Sequence, residues 1–228
     1  MRQMAGKIAM AILGTGILLT AGAALADSDQ GRHDGGRRYA VTITNLTRGQ
    51  VITPPVVIVH NEDFRLFTFG EPAIPELAAL AEDGDTGLIL ELPSTVPSVW
   101  RTAVAAGPIL PGTSVTVEVA VRENFRYLSV AGMLASSNDA FFAVRGETVP
   151  AVGERVVEAE AYDAGSEENR ESCEHIPGPP CGNPFIRNTA GAEGYVHVHA
   201  GIHGIGDLAP EEFDWRNPVA EVVIAPLR

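Results

Sequence analysis

The sequence predicts an all-β domain: an antiparallel sandwich or barrel with one short helix and a long loop. Three observations carry that expectation. About nine short runs are rich in Val, Ile, Thr and aromatic residues, with Pro and Gly between them. Regular strand–helix alternation is absent, which argues against a doubly wound α/β fold. Hydrophobic residues make up 45% of 228 residues but aromatics only 6%. Val, Ile, Leu and Ala must therefore build the core of what one β-rich domain can hold. No repeat occurs at solenoid spacing.

The elements follow in chain order. Met1 to Lys7 is basic, Ile8 to Leu19 is apolar, and small residues end at Ala24-Leu25-Ala26. This order predicts an export signal over 1–26, cut after Ala26. An uncleaved anchor is the rival, because the apolar stretch extended to Ala26 nearly spans a bilayer. Residues 27–38 are polar and Gly-rich, and read as a disordered lead-in before a domain over 39–228. Tyr39, Val41 and Ile43 then alternate with Ala40, Thr42 and Thr44, the period of a half-buried strand. Pro55–His60 and Arg65–Phe69 are further strand candidates. Pro75–Glu82 is the one clear helix, rich in Ala and Leu, and Gly84 and Gly87 stop it.

Val115, Val117, Val119 and Val121 mark the clearest strand. Arg126–Leu134, Ala140–Val144, Arg155–Ala161, Tyr195–Ala200 and Val219–Ala225 complete the strand set. Four prolines between Cys173 and Asn188 interrupt it, so that stretch reads as a structured loop.

Charge and motifs exclude several functions. A formal net charge of −13 disfavours nucleic acid and anionic membrane surfaces as partners. Lys7 is the only lysine, so the exported chain has neither a Schiff-base lysine nor a P-loop lysine. G-x-S-x-G and H-E-x-x-H are absent. Asn45-Leu46-Thr47 matches a glycosylation acceptor.

Three constellations could carry chemistry. Asp139 and the loop Asp163-Ala164-Gly165-Ser166-Glu167-Glu168-Asn169 are dense in oxygen donors. They read either as a calcium site or as a solvated acidic loop. Cys173 and Cys181 read as a disulfide in an exported chain, with zinc beside His175 as the rival. His197 and His199 share a strand face, and His203 follows. Three imidazoles at this spacing could hold zinc or copper, or could simply hydrogen-bond the Gly-rich backbone around them.

The run Met133-Leu134-Ala135-Ser136-Ser137-Asn138-Asp139, followed by Tyr162-Asp163-Ala164-Gly165-Ser166-Glu167, resembles the spondin domain. That family's core reads roughly M-x-x-P-S-P-D-W, then a strand, then W-D-A-G-T-D-S-G. The Cys173–Cys181 segment and the run His197–Leu208 resemble the family's stand-alone secreted bacterial branch. Pro218–Val222 resembles its closing strand, so the likeness spans Tyr39 to Ala225. It implies an antiparallel β-sandwich similar to a C2 domain, with calcium at one end held by Asp139, Asp163 and Glu167. Glu167 stands where the family has aspartate, and Ser137-Asn138-Asp139-Ala140 lacks the family's proline and tryptophan. The implied function is a secreted, non-catalytic binding module for an extracellular protein or glycan, with no membrane span after signal cleavage. The alternative is a zinc or copper metalloenzyme built on His197, His199 and His203 with a metal-bound water.

Overall fold

The computed structural model describes residues 36–228. The expected export signal lies outside them, as does most of the expected lead-in. The end of that lead-in is instead ordered, because Arg37 and Arg38 open strand β1 (Arg37–Asn45) and pair with Val121 and Ala120. The remaining elements are β2 (Val56–His60), α1 (Pro75–Asp83), α2 (Gly87–Thr95), β3 (Val99–Val104), β4 (Ser114–Val121) and β5 (Tyr127–Met133). Then come β6 (Ala140–Thr148), β7 (Arg155–Asp163), β8 (His197–Val198), α3 (Pro210–Phe213) and β9 (Ala220–Pro226).

All strands pair antiparallel, in the order β3-β2-β5-β6-β7-β9-β1-β4, with β8 added to β7. β7 turns this path into a sandwich. Its first half, Arg155 to Ala159, pairs with β9, and its second half, Glu160 to Asp163, pairs with β6. Two layers thus face each other in a nearly closed sheet, as the strand pattern predicts. Val41, Ile43, Val119, Val130, Phe142, Val222 and Ile224 fill the space between them.

A second core lies on the other face of β2, β5 and β6. Val57 and Val59 of β2 point into the sandwich, while Val56 and Ile58 meet Leu77, Leu80, Ile89 and Leu92 of the two helices. Burying each such side chain contributes roughly 1.5–3 kcal/mol. That packing holds α2 in place despite Gly87 at its start and Pro93 inside it. α1 starts on Pro75 and ends on Gly84, whose left-handed φ of 66° lets its N–H reach the Leu80 carbonyl at 2.9 Å.

Several expectations are corrected. Among the described residues there are three α-helices rather than one, and β3 has no counterpart in the sequence reading. The expected strand Arg65–Phe69 is a loop, whose Phe64, Leu66 and Phe67 are anchored in the second core. The expected strand Tyr195–Ala200 shrinks to two residues, because Gly194 and Gly201 on either side adopt φ of 80° and 97°. Asn45 is fully buried, and its Nδ2 donates to the carbonyls of Gln50 and Ile109, so the acceptor motif is a turn of the fold. Cys173 and Cys181 are disulfide-bonded, which removes the cysteine–zinc alternative. Gly178 seats that loop on the sandwich: its N–H donates to the Ala135 carbonyl at 2.8 Å, and a Cβ there would lie 2.4 Å from the same oxygen. Among the described residues, no helix is long and apolar enough to cross a membrane.

Candidate metal centre

The site is built on the end of β7. Asp163, its last residue, lies opposite Ala140 of β6 and His197 of β8. The pairing therefore sets Asp139 and His197 on either side of one carboxylate. Gly165 then turns the chain with φ of 65°, and a Cβ there would lie 2.2 Å from the Tyr195 carbonyl oxygen. The segment before β8 folds onto that bare backbone, with the Gly194 N–H donating to the Gly165 carbonyl at 2.8 Å. This close approach delivers Glu193. One ligand atom from each of Asp163, Glu193 and His197 falls within 4.8 Å of the others.

The hydrogen bonds fix the protons. His197 Nδ1 is 3.1 Å from the Val198 carbonyl, which can only accept, so Nδ1 carries the proton. Its Nε2 then faces Asp163 Oδ1, 3.7 Å away. That oxygen already accepts the Gly165 N–H at 2.7 Å, and Oδ2 accepts Asn169 Nδ2 at 2.6 Å. Imidazole and carboxylate thus meet at a distance too long for a direct hydrogen bond.

His199 has a different role. Its Nδ1 accepts the Gly201 N–H at 2.9 Å, so Nε2 donates to Asn169 Oδ1 at 3.2 Å. Burial, followed by the neighbouring His197 and His203, pushes its pKa down to about 4, and the ring stays neutral. His199 thereby orients Asn169, whose Nδ2 reaches both Asp163 and Glu193. The imidazole of His203 is exposed on the wall of a cavity of about 200 Å³ that Asp163, Glu193 and His197 also line. The three-histidine constellation is therefore not assembled: His197 reaches the centre, His199 orients Asn169, and His203 stands on the wall.

The acidic trio is rearranged too. Asp139 is fully buried, and its Oδ2 accepts the Ser166 N–H at 2.8 Å, the Glu167 N–H at 3.0 Å and the Ser166 hydroxyl at 3.2 Å. Its Oδ1 has no partner. Burial, then the neighbouring Asp163, holds the Asp139 carboxyl well above the usual range, and burial raises Asp163 as well. With its backbone held by Asp139, Glu167 sends its carboxylate elsewhere. Its Oε1 accepts the Asn188 N–H at 2.6 Å. Burial pushes that carboxyl up to about 7, with Glu82 and Asp83 adding to the rise and Arg187 opposing it. Glu167 thus lies outside the group that Asp163, Glu193 and His197 form, while its charge adds to the rise at Asp139.

Two carboxylates and one imidazole suit a divalent transition ion such as zinc better than an all-oxygen calcium cage. The sequence reading missed Glu193, and it placed Asn169 and Asn138 only within the oxygen-rich segments. Asn138 lines the same cavity, and its Oδ1 accepts the Glu171 N–H at 3.2 Å. No short motif marks Glu193, because only the Gly165 turn brings it to Asp163. No family model matches the chain, and no curated protein matches it.

Proposed function

We propose that the chain is an exported, non-catalytic binding module similar to the spondin domain, with end loops tied together by a divalent cation. The cation is held by Asp163, Glu193 and His197, and zinc is the ion that this donor set favours. The observation that carries the reading is the convergence of these three side chains, with one ligand atom of each within 4.8 Å of the others. The cation would join β7, the segment before β8, and β8 itself, and would relieve the clustered negative charge. The disulfide suits export, because such bonds persist in oxidising compartments. A catalytic three-histidine centre is disfavoured, since both nitrogens of His199 are engaged. A second reading, calcium between Asp139 and Asp163, rests on the partnerless Asp139 Oδ1.

The test is the melting temperature in chelator, in graded zinc and in graded calcium. A ligand specific for the folded state stabilises by about 2.7 kcal/mol at a hundredfold excess over Kd. A saturable rise in zinc, lost in Glu193→Gln, supports the first reading. A rise in calcium alone, kept in Glu193→Gln and lost in Asp139→Asn, supports the second. No rise with either ion rejects both.

A further inference from the structure

A cavity of about 430 Å³ shares no lining residue with the candidate metal centre. His60, Glu62, Phe67, Tyr127 and Arg145 are among its walls. Its volume falls in the usual range of small-molecule sites, about 300–1,000 Å³.

Arg145 decides its chemistry. The guanidinium carbon sits 5.0 Å from the Phe67 ring centre and 4.5 Å from that of Phe69. Ring faces stabilise the positive charge but leave the N–H donors of the guanidinium unspent. In a chain of net charge −13, Arg145 makes no hydrogen bond or ion pair with any carboxylate among the described residues. Arg65, the other arginine of the wall, spends its Nη1 on the carbonyls of Glu62 at 2.7 Å and Phe64 at 3.1 Å. The Arg145 fork is unspent and preoriented by the two rings, and it matches one planar carboxylate in two-point pairing.

The rest of the wall suits a polyhydroxylated ring. Tyr127 offers a half-buried aromatic surface beside His60, with the two rings 6.0 Å apart and 22° from parallel. Exposed Glu62 supplies a carboxylate acceptor for hydroxyl donors. We propose that this cavity binds a sugar acid, a pyranose ring bearing one carboxylate, with Arg145 pairing to the carboxylate and Glu62 accepting from ring hydroxyls. This goes beyond the cation reading and does not depend on it.

The experiment is calorimetric titration of the protein in chelator with galacturonate, glucuronate, galactose and acetate. At least one uronate binds with Kd of about 1 mM or better, and galactose and acetate bind at least about tenfold more weakly. Arg145→Gln weakens uronate binding at least about tenfold, and Arg145→Lys does not restore it, because lysine lacks the fork. Arg145 is exposed, so both variants should melt near the parent, and their zinc response should match it. Three results would overturn the proposal: no uronate binding up to about 10 mM, equal binding in Arg145→Gln, or acetate binding as well as the uronates. None of these touches the cation reading, which the melting shift tests separately.

Discussion

His60 and His197 begin from the same half of a network and end in opposite states. Each ring has Nδ1 within hydrogen-bond distance of a backbone carbonyl, His60 with Asn61 at 2.7 Å and His197 with Val198 at 3.1 Å. Each therefore leaves Nε2 for a second partner, and in His60, which burial keeps neutral, Nε2 is an acceptor. For His60 that acceptor meets the Ser129 hydroxyl at 2.9 Å, and the Ser129 oxygen in turn accepts the Gly146 N–H at 3.0 Å. For His197, Nε2 faces a carboxylate oxygen at 3.7 Å, too far for a hydrogen bond. The first network is complete, and it pins the irregular pairing of β5 with β6 at Ser129. The second is open at Nε2. Completeness of hydrogen bonding, more than residue type, separates a structural histidine from a ligand.

The comparison can be broken most strongly at the complete network. His60 is almost fully buried. His60→Ala would leave a cavity and a buried hydroxyl without its acceptor, at a cost of roughly 3 kcal/mol. We expect that loss in urea unfolding, with the zinc-dependent rise in melting temperature intact. If the variant instead lost its zinc response, the two histidines would not be separable in this way.

His197→Ala should give the reverse pattern. In chelator its stability should stay within about 1 kcal/mol of the parent, because the ring is partly exposed and loses one local bond. In excess zinc it should lack the stabilisation of about 2.7 kcal/mol expected at a hundredfold excess over Kd. Paired melts in chelator and zinc decide the matter, and a full zinc response in this variant would remove His197 from the centre.

Much of the fold behind these networks was legible, and the reasons are local. β1 and β4 alternate because one face of each meets the core and the other meets solvent, so Val115 to Val121 shows its period openly. β2 was legible as an apolar run, although nothing local says that its second face is covered by helices. α2 was hidden, because Gly87 and Pro93 break the helical signal and only packing of Ile89 and Leu92 restores it. In the site, Asp139, Asp163 and His197 stood out by residue type. Glu193 did not, because what selects it is the close approach of its segment to the bare backbone of Gly165. For Glu167, sequence spacing showed its nearness to Asp163 but not the Asp139 carboxylate that accepts its N–H.

A third test uses opposing titrations in the metal-free protein. The Glu167 carboxyl is raised from 4.5 to about 7, so the folded chain holds this proton more tightly than the unfolded chain. Its contribution favours folding below pH 4.5 and is lost as pH rises toward 7. His199 is depressed from 6.5 to about 4, so its contribution is present above pH 6.5 and is lost as pH falls toward 4. The two partly cancel. Glu167→Gln should therefore lose more stability on acidification than the parent does, as urea midpoints at neutral and mildly acidic pH would record. Parallel profiles for the two proteins would show that the Glu167 carboxyl does not titrate in this window.

The smallest effect is expected at His203, the third histidine of the run. Its backbone N–H donates to the Glu171 carboxylate, which also accepts from the N–H groups of Gly204 at 2.7 Å and Ile205 at 3.0 Å. That clamp uses the main chain alone and survives replacement of the side chain. The imidazole is exposed on the cavity wall and is not among the three candidate ligands. His203→Ala should change stability by less than about 0.5 kcal/mol, as surface substitutions usually do, and should leave the zinc midpoint within about twofold. A tenfold loss of zinc affinity in this variant, read by competition with a chelating dye, would move His203 into the coordination sphere. The line between complete and incomplete networks would then have been drawn one residue too narrowly, because His203 has no hydrogen-bonded side chain to show its role in the metal-free fold.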